Sequence, residues 1–465
     1  MNSSVAERVQ FVRERIPPGG LFVGQAFRIS PTPLLLEPAW ASELESLGRV
    51  LVQFNRAVNL LYRQSAVGKQ PAWIADWLDR GKPPELIELQ RSPVFKNDLP
   101  RVIRPDVLIT NSGLRITELD SVPGGIGLTA WLNQIYSELG GVDAETGIAA
   151  SSKSSQRHPA KSSITGSPSA IIGGADGMLR GFEGIFDGAA KVHLVISEES
   201  STYRPEMEWL AAQLGNSRFE SRDSRFTAFA PGDAVYRFFE LFDLANVGNA
   251  KRIFELARER RIRLTPPPKT VFEEKMLFAL LWNRNLRGFW RQELGEGFLD
   301  RLLRLVPYTW LVDPTPLPPH GAIPELNLTH WQQLKTLSQR ERDLILKVSG
   351  FCETAWGARG VYLGSDLSVS AWSEAVDLAL RSFEKSPYVL QRYHKPKAIE
   401  FQWFDFGKHE PVAMQGRVRL CPYYFVVGEG DHARARLGGV LATVCPADKK
   451  IIHGMRDAVL VPCAA

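Results

Sequence analysis

The chain has 465 residues, 44% apolar and 23% charged, and its 56 basic and 51 acidic side chains leave a net charge of +5. That length supports two or three domains around a sizeable core, and so even a charge balance argues against a nucleic-acid partner. No apolar run approaches the roughly 20 residues of a membrane helix, so no membrane partner is expected.

The opening stretch "MNSSVAERVQFVRERIPPGG" carries charges where a signal peptide needs an apolar core. The four cysteines, Cys352, Cys421, Cys445 and Cys463, lack zinc-site spacing and are too few for a disulfide scaffold. Both features point to a cytoplasmic protein with reduced thiols. Residues 40–95 read as helical, as in "ASELESLGRVLVQFNRAVNLLYRQ", with apolar residues every three or four positions.

The next stretch, "RPDVLITNSGLRITELDSVPGG", reads as two strands joined at "NSG". Residues two apart on a strand face one side, so Arg104 and Asp106 share a face, as do Glu118 and Asp120. Pairing the strands would gather three carboxylates and a guanidinium on one surface. Oxygen ligands of this kind suit Mg²⁺. The plain alternative is a solvated hairpin with a surface ion pair. Pro123-Gly124-Gly125 then reads as a turn into the helix "IGLTAWLNQIYSEL".

Residues 147–185 form a Ser/Gly-rich loop or linker. Over 186–269, "KVHLVISEE" reads as a strand and "YRPEMEWLAAQLG" and "AKRIFELARERRI" as helical, an alternation that predicts a small α/β domain. The block 270–465 starts with the helices "FEEKMLFALLWNRN" and "GFLDRLLRLV". It then turns strand-rich, through "DLILKVSG", "GVYLG", "YVLQRYH", "IEFQWFDF", "RVRLCPYYFVV" and "GGVLATVC". Within it, Lys347 ends a strand before a loop holding Gly350, Gly357, Arg359 and Gly360. Glycines let backbone N–H groups approach phosphate, although no Walker A order is present and an ordinary glycine-bearing hairpin explains the loop equally. The strand ending in Gln391, Arg392 and Tyr393 could offer polar groups to a flat heterocycle or be a strand end only. Lys275 reads as an exposed lysine on an amphipathic helix.

Together these stretches resemble the ATP-grasp superfamily, whose metal segment is similar to Arg104-x-Asp106, a turn, then Glu118-x-Asp120 and Pro123-Gly124. In the ordinary family the lysines precede the acids; here the acids precede Lys275 and Lys347, an order that resembles the circularly permuted, glutathionylspermidine synthase-like ligases. Asp120 stands where Asn is usual, and Gln391 where Glu is frequent. The resemblance implies an α/β (α+β) fold in which residues 1–146 and 270–465 close together around a small pre-ATP-grasp domain at 186–269. It also implies ATP and Mg²⁺ as cofactors, with a small-molecule or peptide carboxylate and an amine as substrates, joined through an acyl phosphate.

In that scheme Arg104 is catalytic, and Asp106, Glu118 and Asp120 hold metal. The ATP-binding residues are Lys275, Lys347, Gly350, Gly357, Arg359, Gly360, Gln391, Arg392 and Tyr393. Tyr203, Arg204 and Arg237 are candidates for an acceptor pocket, though such residues also occur in ordinary domain interfaces. Two other readings stand beside the ligase: a non-catalytic nucleotide-binding or interaction protein that keeps the fold, and a phosphotransferase that joins nothing.

Overall fold

The computed structural model describes residues 4–22, 27–145, 170–215, 217–355, 357, 359–452 and 457–465. Three sheets organise these residues. In the largest, the 18-residue strand Glu410–Val427 pairs antiparallel with Val102–Thr110 on one side and Arg434–Pro446 on the other; Ala398–Asp405 also pairs with it. Val102–Thr110 continues into Gly113–Asp120, and Arg434–Pro446 into Val459–Ala464, which holds Leu34–Leu35 in parallel.

The second sheet is antiparallel, in the order Val361–Leu363, Leu344–Val348, Tyr388–Arg392, Thr309–Leu311. The third is parallel, in the order Phe219–Arg222, Val192–Ile196, Ala234–Phe238, Arg263–Thr265. All five residues of Val192–Ile196 are buried, as expected of a strand covered on both faces.

Helix Pro38–Ala66 buries Leu44, Leu47, Leu51, Phe54, Val58 and Leu61, the stripe its apolar spacing predicts. It lies so close to the large sheet that a methyl group at Gly48 would come within 2.6 Å of the Tyr424 ring. Helix Ile126–Glu145 begins after Gly125, whose φ of +88° favours glycine. Its first turn is capped from another element: the buried Glu206 carboxylate, on helix Arg204–Gln213, accepts from the backbone N–H groups of Gly125 (2.7 Å) and Leu128 (2.9 Å). Burial raises the Glu206 pKa to about 7 despite those bonds.

Residues 146–169, most of the Ser/Gly-rich stretch, lie outside the described residues. The remainder departs from a linker. Ile171 bridges to Ala464, and Gly177–Gly184 is a helix that inserts Met178 and Phe182 into the core against the large sheet. Its small residues let it approach: a methyl group at Gly181 would meet Phe425 at 2.2 Å. Among the described residues no helix is long and apolar enough to cross a membrane.

Candidate active site

The three sheets meet at a cleft of about 240 Å³, and the acidic hairpin forms one wall. Its register places Arg104 opposite Asp120 and Asp106 opposite Glu118, with an irregularity after Asp106. The side chains meet as the two-residue spacing predicts: Arg104 lies 2.9 Å from Asp120 and 3.2 Å from Asp106. At 15% side-chain exposure for Arg104 and 9% for Asp106, this is not a solvated surface pair.

Lys275 and Lys347 reach the cleft from far along the chain. Lys275 stands at the start of helix Met276–Trp282, and its ammonium lies 2.8 Å from Glu118 while donating to the Ala355 carbonyl at 2.7 Å. It is therefore a largely buried cleft residue and not the exposed helix lysine that its sequence context suggests. Lys347, on Leu344–Val348, donates to the carbonyl of Thr117 and to Gln391 Oε1, each at 3.1 Å. Gln391 in turn donates to Thr309 at 3.0 Å. Gln391, Arg392, Tyr393 and Gly357 also line the cleft.

Other members of the predicted set lie apart. Gly350 borders a side cavity of about 60 Å³ with Glu118, Asp120 and Lys275, and a methyl group there would come within 2.4 Å of the Glu273 carbonyl. Gly360 is buried, 2.6 Å from Val348 by the same construction. Arg359 pairs with Glu199 at 3.0 Å. Tyr203 lines the cleft, but Arg204 turns to the Ile196 carbonyl, and Arg237 is wholly buried against Glu273 and backbone carbonyls. Pro123-Gly124-Gly125 is tight because Tyr203 and Tyr423 crowd it; methyl groups at Gly124 and Gly125 would meet them at 2.4 and 2.5 Å.

The electrostatics follow from burial opposed by pairing. Burial works against the Arg104 charge, but Asp106 and Asp120 hold its pKa well above the usual value. Burial likewise opposes ionisation of Asp106, and Arg104 with Arg419 overcomes it, so that carboxyl stays below its usual range. Asp120 is pushed up by burial, which Arg104 only partly offsets. Lys275 is burdened by burial yet raised by Glu118. Lys347, on neutral acceptors, is lowered to about 8, mainly by burial.

Arg419 is a cleft residue outside the sequence-predicted set, 3.0 Å from Asp106. It lies on "RVRLCPYYF", where alternation would put Arg419, Cys421 and Tyr423 on one face, the signal that could have found it. Glu240 also lines the cleft, with no distinguishing sequence signal; burial and the neighbouring Glu273 keep its carboxyl well above the usual range.

No family model and no curated protein sequence matches this chain. Among solved structures, a glutathione synthetase-like effector (GSS30) from Globodera pallida, in its apo form, is similar over 100% of this chain and 97% of its own, with a TM-score of 0.54 and 10% sequence identity. The "Putative gamma-glutamylcysteine synthetase" from Methylobacillus flagellatus KT covers 92% of this chain and 89% of its own at 12% identity, but its TM-score of 0.37 carries no weight here. Over its whole length the chain thus shares the mixed α/β fold of a glutathione synthetase-like protein.

Proposed function

We propose that the chain is an ATP-dependent, ADP-forming carboxylate–amine ligase of circularly permuted ATP-grasp type. The observation that carries this reading is the convergence of Lys275 and Lys347 with Arg104, Asp106, Glu118 and Asp120 in one cleft, with the acids earlier in the chain than the lysines. The residues fit the cofactors in kind. Lys347 is a buried cation held on neutral acceptors, open to a phosphate. Glu118 and Asp120 offer partly exposed oxygens suited to Mg²⁺, which would shield the phosphate charge.

The reaction proceeds in two displacements. A substrate carboxylate oxygen attacks the γ-phosphorus of ATP, the bond to the β,γ-bridging oxygen breaks, and ADP leaves. The amine nitrogen then forms a C–N bond to the acyl carbon, the C–O bond to phosphate breaks with its electron pair, and the amine proton passes to solvent. Lys275 and Lys347 would orient the phosphates and neutralise them. Arg104 would steady the oxyanion of the second step, with Arg419 beside it: the Nε groups of both are buried and lack a hydrogen-bond partner among the described residues, leaving donors for a ligand oxygen. Gln391, Arg392 and Tyr393 would meet the adenine side, and the loop carrying Gly357 would exclude water from the acyl phosphate.

A second reading, nucleotide binding without ligation, is favoured by one observation. Each carboxylate is already held by a cation, and among the described residues no three His, Cys, Asp or Glu side chains are grouped to share a metal ion. Calorimetry with a non-hydrolysable ATP analogue and Mg²⁺ tests both. The ligase reading expects Mg²⁺-dependent binding that a Glu118→Ala, Asp120→Ala double variant loses, and ADP release that needs both a carboxylate and an amine. Binding without such release in a broad substrate screen would favour the second reading; no binding by the folded natural chain would sink both.

A further inference from the structure

A second, larger cavity of about 770 Å³ shares no lining residue with the cleft. It opens between helix Pro38–Ala66, the segment 96–101, the end of strand Glu410–Val427 and the parallel sheet near Arg263. Its size is in the range of about 300–1,000 Å³ typical of small-molecule sites. Six cations line it: Arg56, Arg63, Lys96, Arg101, Arg260 and Arg263. The lining carboxylates are Asp98 and Glu429, and each has a cation already, Asp98 with Arg260 at 3.0 Å and Glu429 with Arg101 at 3.6 Å.

Among the described residues the other four cations pair with no carboxylate. Arg56 is fixed by the Gly430 carbonyl at 2.9 Å, and Arg263 by the carbonyls of Asp187 at 2.7 Å and Phe186 at 3.1 Å. These bonds orient the guanidinium groups without neutralising them. Arg63 goes further: its Nη1 is buried and has no hydrogen-bond partner among the described residues. A buried donor of this kind favours an oxygen acceptor that can reach it. Behind this wall, buried Lys269 bonds to Asn59 and to the carbonyls of Lys96 and Asp98; burial first, then Arg63 and Arg260, bring its pKa down to about 7. These cations act together on one wall, offset only in part by Asp98 and Glu429, and an incoming anion would relieve them further.

We propose that this cavity is a second ligand site, for a small molecule bearing two or more phosphoryl groups. Five of the six cations are arginines, whose forked donors match phosphoryl oxygens in pairs. Four cations without a carboxylate exceed what one phosphoryl group would balance. Leu60, Leu99 and Phe186 supply apolar wall for the body of such a molecule. A cavity of this size suits a single small ligand better than a nucleic-acid strand or an acidic peptide. The inference does not depend on the ligase reading, since none of the cleft residues takes part.

The test is calorimetry of the full chain with inorganic tripolyphosphate in the absence of metal. An Arg63→Gln, Lys96→Gln double variant should lose at least about tenfold in affinity, the effect of one or two charge-assisted hydrogen bonds. A Lys347→Met variant, altered only in the cleft, should retain this binding. Should the double variant fail to fold, Lys96→Glu alone, at an exposed position, should still weaken binding several-fold. Overturning results are no tripolyphosphate binding by the natural chain, binding kept at full affinity by the folded double variant, binding lost in Lys347→Met, or citrate binding as tightly as tripolyphosphate.

Discussion

The acidic hairpin and the glycine-bearing loop at 349–360 border the same cleft, yet their residues are placed by different forces. In the hairpin, ladder register fixes every side chain, so Arg104, Asp106, Glu118 and Asp120 converge as strand alternation requires. The loop belongs to no strand among the described residues. Gly357 lines the cleft and has a φ of +67°, whereas Gly350 and Gly360 are glycine because neighbouring atoms leave no room for a methyl group. Three glycines that look alike in sequence thus answer to backbone conformation in one case and to close packing in two. A charged residue on a strand declares its face, but a glycine in a loop does not declare its reason.

The largest expected effect breaks the hairpin. Arg104→Met should cost about 3 kcal/mol of stability, because it leaves the partly buried Asp120 without its cation and removes one of the two that hold buried Asp106. Denaturant unfolding would measure it, and the loss should shrink as pH falls far enough to protonate Asp120. A cost below about 0.5 kcal/mol would return the hairpin to the class of surface ion pairs.

The loop comparison comes next. Gly350→Ala should destabilise by about 1–3 kcal/mol, since the new methyl group would lie 2.4 Å from the Glu273 carbonyl. Gly357→Ala, which has open space and only its positive φ against it, should cost about 1 kcal/mol. Thermal unfolding of the two variants gives their order, and a reversed order would break the distinction between packing and conformation.

The smallest effect sharpens the electrostatic side of the comparison. Lys347 has a pKa lowered to about 8, so its charge fades as pH rises through that value. On the ligase reading, nucleotide affinity should be greatest below pH 8 and decline above it, with proton uptake accompanying binding in the upper range. Lys347→Arg, charged throughout, should flatten the profile. Calorimetry across pH 7 to 9.5, roughly the window set by that pKa, reads both.

The sequence determined a good deal by itself. Alternation and turn chemistry determined the hairpin and its shared face, because a period of two is local. Three- and four-residue spacing determined the helical character of residues 40–95, and the strand-rich pattern after residue 340 determined three strands of the second sheet and three of the largest. Only the tertiary structure decided which distant residues meet. Lys347 reaches Thr117 across 230 positions, Lys275 meets Glu118, and Arg419 crosses from the neighbouring strand to Asp106. It also decided that Arg237 is spent on Glu273 in the interior, and that six cations surround a cavity with two carboxylates among them. No local pattern encodes these outcomes, because they arise when separate elements pack and exclude water. Burial then sets the strength of each charge, and burial is a property of the packed whole.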